Sequence, residues 1–398
     1  MINIGIIEPV GSNGGNDIYC YNLSKSISKN PNVKLILYGP DKFDSRDNFL
    51  SKDFFKNVFN SKNALFKTLK YSIGIFKSLI HSKKNNINII HFHYFGFSVL
   101  DYLNLLFFKY ILRVRIVCTV HDIESFATFD KEEKIINFSW WRKIDFFKKI
   151  HLISGIVVHS DYAKSLILNK CIDKKIKSPI IHKIHASDID YSNLNSTDFV
   201  NKSESRQKLN LPLNKKIILF FGQIKKVKNL SLLIKSMKNI KNKRNDVVLL
   251  VAGKIWKDDI HFYENLIKIN NLEDIIIFRS KFISNKSLPH YFNSSDIVAL
   301  PYKQIYNSGV LIRSLSYSKA IVASDIPVFK EFIDSGDNGF LFQNNDEKSL
   351  TEQLLKVLDL DDNKLKKVTK LAHDSIVLKL DIDKISKLYY NFYKEVLI

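Results

Sequence analysis

Lys216-Ile-Ile-Leu-Phe-Phe-Gly-Gln-Ile-Lys-Lys-Val-Lys-Asn229 holds the pattern that decides the fold. An unbroken apolar run reads as a strand covered on both faces, a glycine ends it, three lysines follow, and a helical pattern begins. The same alternation recurs on either side. Downstream strands are expected at Val247–Ala252, Ile275–Phe278, Ile297–Leu300, Ala320–Ala323 and Gly339–Phe342. Upstream ones are expected at Ile2–Ile7, Val33–Tyr38, Ile87–Phe92, Ile116–Val120, Gly155–His159 and Ile180–Ile184. Amphipathic helices fit Asp17–Ser28 and Ser160–Leu168, the second capped by Ser160 and Asp161. These are parallel, doubly wound α/β sheets.

Between the two series, Ser187–Leu213 is polar, lacks a clear period and ends at Pro212, so a linker is expected there. The expected organisation is one Rossmann-like domain over 1–190, a linker over 191–214 and a second over 215–380. A C-terminal helix over 381–398, bearing Tyr389, Tyr390, Phe392 and Tyr393, is expected to pack back on the N-terminal domain. A length of 398 residues suits two or three domains at ~150 residues each.

Composition narrows the class. With 45% hydrophobic and 25% charged residues the chain is globular, which excludes disorder, collagen-like repeats and a disulfide scaffold. No run approaches the ~18 apolar residues of a spanning helix. The start, Met1 to Glu8, reads as a strand rather than a signal peptide. Cys20, Cys118 and Cys171 are odd in number and widely spaced, which fits buried thiols in a reducing cytosol. The net charge of +21 is shared evenly by the two halves of the chain, but within the first half it gathers in residues 51–115, where 11 basic residues face only Asp53 and Asp101. That segment calls for an anionic partner. Within it Leu65, Leu69, Ile73, Phe76 and Ile80 form one helical stripe, with Lys67, Lys70 and Lys77 on other faces. The pattern suits either a helix lying on an anionic membrane or a core-packed helix with solvated lysines. No basic and aromatic groove or known module for nucleic acid is present, so nucleic acid is not expected as a partner.

Ligands of such sheets bind beyond the carboxyl ends of the strands. Gly11, Gly14 and Gly15 follow the first strand in a turn that lets amides approach an anion, without the dinucleotide-binding spacing. His121 and Asp122 follow another strand, and His91 and His93 are spaced to face one side of a neighbouring one. No carboxylate or cysteine completes a metal set around these histidines. Lysines at the strand's end, beside free helix amides, are what a diphosphate needs. Farther on, Ser308-Gly309-Val310 opens a helix after Pro301-Tyr302: Gly309 permits close approach, and Ser308 can cap or donate to a phosphate.

Taken together, these segments resemble the nucleotide-sugar glycosyltransferases of the GT-B type, family 4. The likeness rests on Gly14–Gly15, Thr119-Val-His-Asp122, Val157-Val-His-Ser-Asp-Tyr162, Phe221-Gly222 with Lys228-Asn229, and Val251-Ala-Gly253. It extends to Asp296–Tyr302 and Asp337-Asn-Gly-Phe340, and so spans nearly the whole chain. It implies two Rossmann-like domains facing a central cleft, with the donor on the C-terminal domain and the acceptor on the N-terminal one. The expected activity is hexosyl transfer without a metal or other cofactor. It retains configuration and runs from a UDP- or GDP-linked sugar to a lipid-linked oligosaccharide or polysaccharide in bacterial surface assembly. The expected location is the cytoplasm, at the inner face of the plasma membrane.

The resemblance makes Lys228 the contact to the donor diphosphate and His121 a neighbour of the transferred sugar. Gly222 and Gln223 stand where relatives have Gly-Arg, and Lys225 can supply the charge that Gln223 lacks. Tyr302, Ser308, Gly309, Val310 and Arg313 complete the donor set, while Gly14, Gly15 and Asp122 form an acceptor or phosphate turn. Ile305 and Arg313 occupy the positions of two glutamates common in relatives. Asp188 and Asp190 fall in the linker and are not read as a metal-binding pair. The alternatives are a nucleotide-sugar epimerase of the same fold and a catalytically impaired relative.

Overall fold

The computed structural model describes residues 1–11, 17–41, 48–58, 63–94, 99–121, 123, 146–185 and 200–398. The chain divides into two compact units, Met1–Tyr191 with Leu380–Ile398, and Ser192–Lys379.

The first unit opens with β1 (Ile2–Ile7), α1 (Asp17–Ser28), β2 (Val33–Tyr38), β3 (Leu50–Lys52), α2 (Ala64–Lys84) and β4 (Ile89–Tyr94). It continues through α3 (Val99–Leu106), a π-turn at Phe107–Ile111, β5 (Arg115–Val120), α4 (Phe146–Lys149), β6 (Gly155–Val158), α5 (Asp161–Asp173) and β7 (Ile180–Lys183). The strands pair in the order β3-β2-β1-β4-β5-β6-β7, every pair parallel. Ile4, Ile6, Ile89, Ile90, Ile116, Val117, Ile156 and Val157 are fully buried, as expected of β-branched runs covered on both faces. Ser160 caps α5, its hydroxyl accepting from the Ala163 amide. The three cysteines are buried free thiols.

In the second unit the elements are α6 (Lys202–Lys208), β8 (Lys216–Phe221), α7 (Leu230–Lys241), β9 (Val247–Ala252), α8 (Ile260–Ile269) and β10 (Ile276–Arg279). They continue as α9 (Leu288–Ser294), β11 (Ile297–Leu300), α10 (Gly309–Ser316), β12 (Ala320–Ser324), α11 (Pro327–Lys330) and β13 (Phe340–Phe342), then α12 (Glu347–Leu358) and α13 (Asp362–Val377). Here the order is β10-β9-β8-β11-β12-β13, again parallel throughout. The order reverses between β8 and β11, and such a switch point opens a crevice at the carboxyl ends of the strands.

The last helix, α14 (Ile382–Leu397), belongs to the first unit. Tyr389, Phe392 and Tyr393 are fully buried, with Gly155 pressed against Phe392 and Val396. Lys29, just after α1, pairs with Asp383 at 2.9 Å.

Two segments depart from expectation. Part of the expected linker is α6, a helix whose sequence, Lys-Ser-Glu-Ser-Arg-Gln-Lys, has no apolar stripe to announce it. It is held instead by Arg206, which donates to Asp296 at 2.8 Å and to the carbonyls of Ser294 and Leu213. Asp296 also accepts from the Ile217 amide, so one buried carboxylate fastens α6 to the start of β8. The other departure is β4, which runs two residues past its expected end and places both His91 and His93 inside the strand.

Candidate active site

The second unit's site is built around Gly222, at the carboxyl end of β8. Its φ of +96° favours glycine, and its amide donates to Ala252 at 2.9 Å. Beyond it the chain runs beside the segment after β9, through Ile224 N–H to Lys254 O and Trp256 N–H to Ile224 O. A single 3-10 turn, Lys226–Lys228, then ends at Asn229 in the left-handed conformation, φ +54°, and launches α7. The Asn229 side chain donates to Asn345 at 3.2 Å and fixes that turn. Lys303, just after β11, donates its amide to Val227 at 2.9 Å, which ties the two crevice loops together.

This backbone aims the Lys228 ammonium back over Gly222. A Cβ placed on Gly222 would lie 3.0 Å from Lys228 Nζ and 3.2 Å from Val310 Cγ2. The amino terminus of α10 and the ammonium of Lys228 therefore converge on one glycine. Ser308 caps α10, its Oγ accepting from the Leu311 amide at 3.1 Å, so of its two expected roles the hydroxyl performs the cap. The amides of Gly309 and Val310 belong to the first turn, where no intrahelical acceptor exists and the helix dipole is positive.

Burial, with Lys225 nearby as the smaller cause, lowers the Lys228 ammonium to about 7. Its nearest aromatic is Tyr302, with Nζ 5.2 Å from the ring centroid. Tyr302 is 2% exposed and acts as the wall behind Lys228. Lys225 Nζ sits 4.5 Å from the Trp256 ring centroid and Lys257 Nζ 4.6 Å from it, so two ammonium groups meet one indole. Three lysines, an indole and a helix amino terminus thus line one strand edge. An anion of high charge density suits such a place, because each group gains by being neutralised.

Of the donor set expected from sequence, the structure brings together Gly222, Lys225, Lys228, Tyr302, Ser308, Gly309 and Val310. Gln223 is exposed beside them, and Arg313 lies one turn into α10. Ile305 is buried. Trp256 and Lys257 were missed: Trp256 stands three residues past the strand-ending Gly253, but its place beside Lys225 depends on β9 pairing with β8. Gly14, Gly15, Asp122, Asp188 and Asp190 lie outside the described residues.

His121 stands in the first unit, directly after β5, half-buried in a row with three buried imidazoles, His91, His93 and His159. Ring centroids run His91 to His93 at 5.2 Å, His93 to His121 at 5.7 Å and His121 to His159 at 5.1 Å. Parallel register makes the row, because β4 pairs His93 with Thr119 and β5 pairs Thr119 with Val157, setting successive strand ends level. Tyr19 of α1 meets three of the rings edge-on, at 5.4 to 5.9 Å. His91 bridges Tyr393 and Thr119 at 2.7 Å each, and His159 bonds the Ile184 carbonyl and Tyr19. Desolvation lowers all four, His91 to about 3, with repulsion among the imidazoles as the second cause for His91, His93 and His121. They are neutral donors and acceptors at pH 7. Among the described residues no group of three His, Cys, Asp or Glu side chains is placed to share a metal ion.

Two parallel α/β units, one with a cationic cradle at its strand ends, define a GT-B glycosyltransferase. The chain belongs to the group 1 glycosyltransferases: the model of glycosyltransferase family 4 matches residues 13–185, and that of glycosyl transferases group 1 matches 201–374. It is 25% identical over 294 residues to the 2-deoxystreptamine N-acetyl-D-glucosaminyltransferase of Niallia circulans, covering 71% of this chain and 70% of that one. To the processive diacylglycerol alpha-glucosyltransferase of Acholeplasma laidlawii it is 25% identical over 239 residues, 56% of this chain and 67% of that one. The fold is shared with Anabaena Alr3699/HepE, solved in complex with UDP, at a TM-score of 0.69 and 15% identity, over 99% of this chain and 100% of that one.

Proposed function

We propose that this transferase moves a hexosyl group from a UDP- or GDP-linked sugar to a lipid-linked saccharide, retaining configuration, at the inner face of a bacterial plasma membrane. The observation that carries the donor reading is the Lys228 ammonium poised over Gly222 beside the α10 amides. A glycosyl transfer builds positive charge on the sugar while a diphosphate departs. The departing charge must be neutralised where it forms, and preorganised donors each contribute roughly 3 kcal/mol. Lys228, with a second ammonium at Lys225, supplies the cations, and the Gly309 and Val310 amides the dipoles, so the leaving group needs no divalent ion. Lys228 takes up a proton as the diphosphate binds and holds it through bond cleavage. The complex of the Anabaena fold neighbour with UDP supports a nucleotide here. His121, neutral in the first unit, is assigned to the transferred sugar as a hydrogen-bonding group.

A lipid acceptor is supported by the Acholeplasma relative, named for a diacylglycerol, and by the basic segment 51–115. No helix among the described residues is long and apolar enough to cross a membrane. The chain would therefore meet a lipid acceptor from the surface.

A melting-temperature panel of nucleoside diphosphates and their sugars tests the donor. One base should raise the melting temperature in the wild type and leave Lys228→Met unmoved. Equal shifts in both proteins would remove Lys228 from the site. Product analysis without acceptor separates transfer from epimerisation, since an epimerase changes the donor sugar unaided.

A further inference from the structure

Helix α2 is packed with its apolar side outward. At about 100° per residue, Leu65, Phe66, Leu69, Ile73, Phe76 and Ile80 fall on one arc about 100° wide. All six are 40% to 80% exposed. The opposite arc faces the protein and mixes small groups with two large ones. The small groups are Gly74 against Phe55, the buried Ser78, and Ser82, whose hydroxyl donates to Tyr38; with them stand the buried Ile75, and Tyr71, whose ring lies 5.9 Å from Phe55. A helix that packs one side on the protein and leaves a second arc of phenylalanines, leucines and isoleucines in water departs from an ordinary surface helix, whose outer face is polar. Lys70, Lys77 and Lys84, seven residues apart, follow one margin of the apolar arc, and Lys83 closes its carboxyl end.

At that end α2 meets an open groove of about 460 Å³ at the amino ends of β4 and β5. Lys83, Asn86, Ile111, Arg113, Arg115 and Leu397 are among its walls. Arg113 and Arg115 are exposed, and among the described residues no carboxylate pairs with Lys83, Arg113 or Arg115. Lys109 adds to the charge, lowered by burial and by repulsion from Arg115. The π-turn that supplies Ile111 also exposes Phe107 and Tyr110. It follows α3, which is tied to α2 through Tyr71, whose hydroxyl donates to Asp101 and accepts from Asn104.

We propose that the outward arc of α2 and the groove at its carboxyl end form the face on which this protein lies on an anionic phospholipid bilayer. The apolar arc enters the acyl boundary, the Lys70–Lys77–Lys84 margin lies at the phosphate level, and the groove seats a lipid phosphate between Lys83, Arg113 and Arg115. Charge decides the occupant. Segment 51–115 carries 11 basic residues against 2 acidic, a surplus that two copies of one face could not neutralise. An anionic bilayer supplies both the apolar layer and the counter-charge. The inference rests on the membrane association in the proposed function and assigns it to named residues.

Flotation of the full chain with phosphatidylcholine vesicles, with and without phosphatidylglycerol, tests it against two double variants. These are Leu69→Ser with Phe76→Ser, and Arg113→Gln with Arg115→Gln. All four side chains are exposed, so circular dichroism and melting temperature should match the wild type. The wild type should float only with phosphatidylglycerol, and each variant should lose about tenfold or more in binding. Full binding by both variants would overturn the assignment while leaving membrane association standing, and no flotation of the wild type would overturn both. A dimer in sedimentation velocity that Leu69→Ser with Phe76→Ser abolishes, without change in flotation, would give the face to a second copy instead. Inorganic phosphate that saturates the groove at millimolar concentration, with flotation indifferent to Arg113 and Arg115, would make it a free-phosphate site.

Discussion

The carbonyl oxygen of Gly222 lies 1.9 Å from where a Cβ on Gly253 would stand. The two glycines end adjacent strands, β8 and β9, and their close approach lets the Lys225 and Trp256 segments run side by side along the crevice edge. Gly253 has a φ of +151°, and Gly222 is left-handed as well, so neither position suits an L side chain.

Alanine at these two positions should have different effects. Gly253→Ala drives a methyl into backbone, which cannot yield without shifting the end of β8. It should lower stability by about 2 kcal/mol or more and abolish donor response. Gly222→Ala meets only side-chain tips, Lys228 Nζ and Val310 Cγ2. It should fold with a loss of about 1 kcal/mol from its φ and bind nucleoside diphosphate about tenfold more weakly. Urea unfolding and calorimetric titration of both variants measure this, and equal stability losses would contradict the geometry.

Lys228→Met should lower turnover by about 100-fold or more, the usual loss when one preorganised donor is removed from a developing charge. It should not lower the melting temperature. The folded state holds this ammonium below its unfolded value, so at neutral pH the half-buried lysine opposes folding, and a methionine of similar shape relieves that. A variant that is both inactive and unstable would mean that Lys228 is structural.

Four neutral imidazoles in one row make the first unit sensitive to acid. Their folded pKa values are depressed, so the stability they allow is present above the unfolded value of about 6.5 and lost as pH falls toward the folded values, about 3 for His91. Below the unfolded value unfolding therefore takes up protons at these histidines, His91 among them. Urea midpoints for the first unit should fall steadily from pH 7 to pH 5, and a midpoint constant over that interval would contradict neutral burial.

Arg206→Met should cost about 3 kcal/mol, because it takes the buried guanidinium from the buried Asp296 carboxylate and leaves it the half-exposed Lys202 as ion-pair partner, with the Lys319 ammonium nearby. Restoring stability with Asp296→Asn in the same chain would confirm that the loss arises from the uncompensated charge. A single-variant loss below about 1 kcal/mol would show that α6 is held by other contacts.

The sheets were legible because their strands are continuous β-branched runs. Ile2–Ile7, Val33–Tyr38 and Val247–Ala252 can be read to the residue from that pattern alone. Helix α6 was not, since its hold is an ion pair to a residue some 90 positions away, which no local period records. The three-residue edge strand β3 was too short to leave a pattern. At the candidate site the lysine cluster and the Ser308 turn were visible as strand-end chemistry. The part played by Trp256 was not, because it depends on β9 lying beside β8. The histidine row needed the register of three strands, and His159 joins it only through that register. The apolar stripe of α2 was plain in the sequence, but its direction was not: Gly74, Ser78 and Ser82 face inward because Phe55 and Tyr38 already fill that space.

The central claim is that the Lys228 ammonium, held near neutrality, becomes a full charge when a diphosphate enters. Side-chain carbon-13 NMR of labelled lysine, with Lys228→Met to assign the signal, reads that group directly. Without ligand its titration should centre at about 7. With saturating nucleoside diphosphate it should move up by two units or more, roughly the shift a contacting opposite charge produces, and nucleotide affinity should weaken as pH rises above 7. A titration midpoint unmoved by the nucleotide would contradict the account.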